Sequence, residues 1–261
     1  MQMFKRLTAL LLALVSCGAV ALPTHAAGTP TPEPRAVTRE IVQNVPEQIQ
    51  QLLDLACAEW QAGEGKELKK RNKYTDWNGS KTGYGWCGGF ITWCALEVGI
   101  PQETKGKIKN GEVSGVVHVK EAGVGKLVTG YSKMNRTTMI PQKGFICVFG
   151  NRDSRFAGIT GLYHVGLVYD VELLPDGRYR VTTIEGNVSF KGSSTQKKAA
   201  HAIRMYTRDY DPYAEKKRDN LSLVPEEERD REEDAMFSYQ YTYDNPSLYV
   251  NKYLMPWIPE Q

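Results

Sequence analysis

Histidine and cysteine are scarce in this chain, with four and five residues among 261. So few cysteines exclude a disulfide-stapled scaffold, and no closely spaced pair of thiols or imidazoles marks a zinc site. Long apolar runs are lacking as well. The single one, residues 7–15, is too short to cross a bilayer as a helix. Nor does one sign of charge prevail, since 33 basic and 30 acidic residues give a net charge of +3. That balance offers no general argument for nucleic acid, and neither a nucleic-acid partner nor an integral membrane segment is expected in the mature protein.

What is present divides the chain into four stretches. Residues 1–26 read as an export signal: Lys5 and Arg6, the apolar run, then small residues with cleavage before Ala27. A rival reading takes Leu14-Val15-Ser16-Cys17 as a lipoprotein box anchored at Cys17, but the small, apolar stretch continuing through Ala21 favours simple secretion. Both place the mature protein outside the cytoplasm. Residues 27–43, punctuated by Pro30, Pro32 and Pro34, read as an extended linker. Residues 44–205 suit one folded domain. Residues 206–261 form an acidic and aromatic extension, in which Phe237, Tyr239, Tyr241 and Tyr243 alternate at strand spacing. Its Tyr249, Tyr253 and Trp257 are expected to dock on the domain, because burial is the commoner use of such aromatics. Charge is uneven, with 10 basic against 4 acidic residues over 102–155 and 5 against 12 over 209–244.

Within the domain, Ile49, Leu52, Leu53, Ala56 and Trp60 recur at helical spacing and predict a helix over 44–62, ended by Gly63. A second, amphipathic helix runs from Cys87 to Val98, with Cys87, Ile91, Cys94 and Val98 on one face. Residues 102–140 resist division, although 113–119 could form a strand or short helix. Residues 145–149 read as a buried strand. Residues 162–171 and 178–187 alternate around Pro175-Asp176-Gly177 and predict an antiparallel hairpin. A four-residue loop pairs Leu173 with Arg178 and His164 with Asn187, a two-residue loop puts Ser189 opposite His164, and either register gathers His164, Glu185 and Asn187 into one polar cluster.

The chemistry centres on Cys87. A thiol at a helix start feels unpaired N–H groups and the positive end of the dipole, which favour thiolate. Cys57, Cys94 and Cys147 read as core residues, and at most one disulfide can form among them. Cys87 and Cys94 cannot bond, since seven residues of helix separate their Cα atoms by about 10 Å. His118 and His201 read as structural. Trp77, Tyr84 and Trp86 flank the thiol and are candidate substrate contacts.

Three segments resemble the CHAP family, the cysteine- and histidine-dependent amidohydrolases and peptidases: Trp86-Cys87-Gly-Gly-Phe-Ile-Thr-Trp-Cys94-Ala, His164-Val-Gly-Leu-Val168, and Ile184-Glu185-Gly186-Asn187. Spacings of 77 residues from Cys87 to His164 and 21 from there to Glu185 add to the match. The resemblance implies an α+β, papain-like fold with N-terminal helices packed on an antiparallel sheet. It implies Cys87 as nucleophile, His164 as general base and then acid, Glu185 as the orienting carboxylate and Asn187 as a fourth polar partner. The implied activity is hydrolysis of amide bonds in bacterial peptidoglycan, by a secreted or wall-associated monomer that needs no cofactor or metal. An acyltransferase or peptidase acting on proteins would use the same residues, and a catalytically silent wall-binding protein is the reading from another class. One departure stands out: Gly144 is followed by Phe145 where family members usually carry aspartate.

Overall fold

A computed structural model describes residues 38–64, 66–104, 107–108, 110–150, 162–189, 201–212 and 249–259. The expected signal, the loop after Gly150 and the alternating aromatics at 237–243 lie outside the described residues. Four helices and eight strands are present among them, in an α+β arrangement.

Helix α1 (Glu47–Gly63) starts behind Pro46, whose carbonyl accepts from Ile49 and Gln50, and buries Ile49, Leu52, Leu53 and Ala56 at the predicted spacing. After the single turn of α2 (Lys73–Asp76), α3 (Cys87–Glu97) begins at the expected thiol and ends at Gly99, whose φ of +72° suits a left-handed helix cap. Its burial differs from expectation. The predicted stripe of Cys87, Ile91, Cys94 and Val98 gives way to burial on nearly every side, because α1, α2, α4, β2, β5 and β6 all pack around it. Such a helix belongs to the interior and is not amphipathic in the surface sense.

The stretch 102–140 resolves into a short parallel pair, β1 (Gln102–Glu103) with β2 (His118–Val119), helix α4 (Val124–Lys133) and strand β3 (Thr137–Thr138). Val124, Leu127, Val128 and Tyr131 give α4 its buried face, yet Gly125 and Gly130 weaken its local propensity, so packing decides the helix.

The main sheet has the order β3-β8-β4-β5-β6-β7, with β4 (Ile146–Gly150), β5 (Leu162–Leu173), β6 (Tyr179–Ser189), β7 (His201–Tyr210) and β8 (Tyr249–Leu254), and every pairing is antiparallel. The hairpin loop is longer than predicted: Leu173 pairs with Tyr179, not Arg178. A bulge at Tyr169 absorbs the extra residue, so that Leu167 faces Ile184, the pairing the four-residue loop predicts. A second bulge lies at Asn187, between the Gly186–Ile203 and Val188–Ala202 pairs.

The expected boundary at residue 205 falls inside β7, and β8, drawn from the expected extension, lies between β3 and β4. Tyr253 and Trp257 are buried there, and the Trp257 indole donates to the Lys143 carbonyl at 2.9 Å. At the other end, residues expected as linker are tied down. The Gln142 side chain accepts from Val42 N–H and donates to the Glu40 carbonyl, while Tyr179 donates to that of Arg39. The four cysteines in the described residues, Cys57, Cys87, Cys94 and Cys147, are free.

Arg136 locks the chain end in place. Fully buried, it donates through Nη1 to the carbonyls of Met255 (3.2 Å) and Pro256 (2.9 Å), and through Nη2 to those of Val113 (2.5 Å) and Gly115 (2.7 Å). Replacing it by methionine strands four acceptors, each loss worth about 1–3 kcal/mol. Arg136→Met is expected to lower unfolding free energy in urea by about 3 kcal/mol or more; a loss under about 1 kcal/mol would show that the carbonyls find other partners.

Candidate active site

Cys87 is the first residue of α3, and its sulfur is almost wholly buried. Backbone N–H groups of Gly88 and Val165 reach the thiol, and the His164 imidazole hydrogen-bonds to it. His164 lies on β5 opposite Phe149 of β4, and the two rings stack with centroids 5.7 Å apart. Its Nε2 donates to Glu185 Oε2 at 2.9 Å, which leaves Nδ1 as the ring nitrogen for the sulfur. The other carboxylate oxygen, Oε1, accepts from Thr183 Oγ1 and from Arg208 Nη1, each at 2.6 Å. Sulfur, imidazole, carboxylate and guanidinium thus form one continuous chain.

These contacts set the protonation states. Burial alone would raise the Cys87 thiol, but the hydrogen bond and charge of His164, aided by the two backbone donors, outweigh it and hold the pKa below the ordinary thiol value. Burial would lower the His164 imidazole, yet hydrogen bonds and charge from Cys87 and Glu185 push it up to about 9. Glu185, which burial would raise, is brought down to about 2 by Arg208 first and then by His164 and Thr183. At neutral pH the carboxylate is ionised and the imidazole charged, and both shifts favour thiolate at Cys87 over the thiol.

Close packing makes this geometry possible. A methyl group on Gly186 would stand 2.7 Å from both Phe90 Cβ and Trp86 Cζ3, so only glycine lets α3 lie directly on β6. On the opposite face, a methyl on Gly166 would stand 2.7 Å from Glu185 Cγ, which needs that space to reach His164.

The other expected site residues separate. Asn187 adopts φ +63°, a conformation asparagine tolerates, and the bulge turns its amide beside Gly85; its buried Oδ1 has no hydrogen-bond partner. Glu185, not Asn187, is therefore the group bonded to the imidazole. Trp86 departs from expectation: it is fully buried, stacks on Tyr74 at 5.0 Å and presents no face to a substrate. Trp77 and Tyr84 are half-buried and line an open groove with Asn78 and Gly85, facing residues 120–123 and Lys126. Gly85 precedes the thiol by two residues and the Ala122 carbonyl packs on Gly88, so the groove runs past the start of α3.

His118 and His201 stand apart from the site. His118 is buried between Thr92 Oγ1 (2.8 Å) and the Tyr131 hydroxyl (3.0 Å), and burial lowers its pKa to about 3, so it stays neutral. Thr92 in turn donates to the Glu121 carbonyl at 2.6 Å, fastening one wall of the groove to α3. Among the described residues no group of three or more His, Cys, Asp or Glu side chains could hold a metal ion, and no helix is long and apolar enough to cross a membrane. Thr183, Phe149 and Arg208 were not anticipated. Thr183 was within reach, because it shares a strand face with Glu185 at a spacing of two, whereas Phe149 and Arg208 join only through sheet register.

The packing makes Gly186 a test of the site. Gly186→Ala is expected to force α3 away from β6, costing about 1–3 kcal/mol by overpacking and slowing alkylation of Cys87 by iodoacetamide at pH 6. Unchanged alkylation would show that the thiol and His164 do not depend on that contact.

Comparison with known proteins adds one finding. No curated protein and no solved structure matches the chain, but the model of the CHAP domain family matches residues 77–187. That family carries cysteine- and histidine-dependent hydrolase chemistry of the peptidoglycan amidase and peptidase type. The matched span includes Cys87, His164, Glu185 and Asn187, and the helices packed on an antiparallel sheet agree with its papain-like fold. Over residues 77–187 this chain is therefore similar to the CHAP domain family.

Proposed function

We propose that the protein is a secreted thiol hydrolase that cuts amide bonds of bacterial peptidoglycan, as an N-acetylmuramoyl-L-alanine amidase or a peptide endopeptidase. The observation that carries this reading is the buried chain from Cys87 through His164 to Glu185, at a helix start and beside an open groove. In a structural cysteine, burial raises the thiol pKa, as it does for Cys94 and Cys147. Cys87 shifts the other way.

The chemistry follows from the protonation states. The Cys87 thiolate attacks the amide carbonyl carbon, and the carbonyl π pair moves to oxygen. The resulting oxyanion accepts from the backbone N–H of Cys87, one of the donors a helix start leaves unpaired. Collapse expels the amine, which takes the proton from the His164 imidazolium, leaving a thioester. Neutral His164 then removes a proton from water, hydroxide adds to the thioester, and the thiolate departs as the carboxylate product forms. Glu185 fixes the ring and balances its charge throughout. The half-buried rings of Trp77 and Tyr84 are placed to hold the substrate in the groove.

Cys87→Ala is expected to abolish fragment release from purified peptidoglycan while leaving the thermal transition within a few degrees; digestion that persists would refute the assignment. Glu185→Gln is expected to lower kcat by about 10²-fold or more, because the ring loses the partner that favours its charged form. The pH profile has a stated upper edge. His164 is raised above its ordinary value of 6.5, so the imidazolium and its ion pair survive neutral pH and disappear as pH climbs through about 9. Turnover that stays flat to pH 11 would be incompatible with this site.

A further inference from the structure

We propose that Arg208 is a positioning residue of the reaction, holding Glu185 so that the carboxylate stays ionised and aimed at His164. This rests on the thiol-hydrolase reading above. Arg208 lies on β7, beyond the span matched by the CHAP family, and pairs in register with Val181 of β6, two residues from Thr183 and four from Glu185 on the same strand face.

Glu185 has no exposed surface, so its charge is unsupported by water and needs a protein partner on each oxygen. His164 serves Oε2, but its imidazolium is consumed when the leaving amine takes the proton. Thr183 donates to Oε1 without contributing charge. Arg208 Nη1, 2.6 Å from Oε1, is the cation that stays in place through that change and bonds to Thr183 Oγ1 as well, at 3.2 Å. The guanidinium is itself held between two rings, 4.5 Å from the Tyr206 centroid and 5.1 Å from that of Phe149. Phe149 stacks on His164. Arg208 therefore touches the imidazole along two routes, through the carboxylate and through the ring.

Arg204 lies opposite Glu185 in the register on β7, but Arg208 is the cation that chiefly holds the Glu185 carboxyl down. Cys147 on β4 and Tyr253 on β8 face the same region, and burial pushes both up, so they remain neutral. Cys87 of α3 acts on Glu185 only through His164.

The consequence appears on the acid side of the pH profile. With Arg208 in place, Glu185 stays ionised down to about pH 2, so its protonation does not set the acid limb of Cys87 reactivity above that pH. Without Arg208, burial raises the carboxyl, and protonating it removes the support for imidazolium and hence for thiolate. The experiment uses the full chain and measures the rate of Cys87 alkylation by iodoacetamide between pH 3 and 9, a readout that needs no knowledge of the bond cut. Arg208→Met is expected to move the acid limb upward by about one pH unit or more, and to lower kcat on peptidoglycan about tenfold or more with KM little changed. Arg208→Lys, which keeps the charge, is expected to restore most of the limb. Arg180→Met removes an exposed arginine of the same sheet, paired with Asp209, and is expected to leave it in place.

If Arg208→Met does not fold, Arg208→Gln carries the same expectation with a donor retained. An acid limb identical to the parent, an equal shift in Arg180→Met, or Arg208→Lys behaving as the uncharged variant overturns the proposal. Failure of the underlying reading looks different: parent Cys87 would then alkylate only above about pH 8, as an ordinary thiol does.

Discussion

A carboxylate sealed from water at the centre of a sheet dictates much of what surrounds it. Glu185 must be charged to hold an imidazolium, and a lone charge in that position would be untenable. The structure answers with His164 on one oxygen and Thr183 with Arg208 on the other, contributed by three adjacent strands. Breaking a buried pair of this kind by removing one partner typically costs about 3–5 kcal/mol. The same arrangement favours thiolate at Cys87. Each charge is favoured by the next, and the chain ends at a sulfur that would otherwise be an inert buried thiol.

Helix α3 has to meet this chain at close range, and its composition follows from that requirement. Eight of its eleven residues are buried, so it gives up the polar face of a surface helix and sits among three other helices and the sheet. Gly186 on the strand beneath lets Phe90 and Trp86 settle directly on β6. Trp86 shows the cost of reading proximity in sequence as contact: one residue before Cys87, it nevertheless points into the core and stacks on Tyr74.

The hairpin shows how sequence reasoning can reach a correct endpoint through an incorrect step. The loop holds five residues, 174–178, instead of four, which by itself would slip every pair by one and exchange the two faces. The bulge at Tyr169 cancels the slip before the strand reaches its functional end, so Leu167 still faces Ile184. Turn residues signal that a turn exists, but a bulge leaves no comparable mark. An acidic stretch separates Met205 from Tyr249, yet β8 returns to lie between β3 and β4, and antiparallel pairing depends on the edge available, not on distance along the chain.

Local rules pointed to the thiol, the histidine and the polar partners that the structure brings together. A thiol at a helix start meets the nearest unpaired N–H groups, and residues two apart on a strand share a face, so Cys87 and His164 could be picked out from neighbours within a few positions, with Glu185 and Asn187 both left as the third group. They also accounted for α1 and the β5–β6 hairpin, whereas the mixed α+β class followed from the family resemblance. Folding in three dimensions settled what no short window contains: the burial of α3 on all sides, the inward turn of Trp86, the place of β8, and the pairing of Arg208 with Glu185 across strands 23 residues apart. The division has a physical origin. Periodicity and helix ends are fixed by interactions within a turn or two, whereas strand order and the neutralisation of buried charge arise only when distant segments are already side by side.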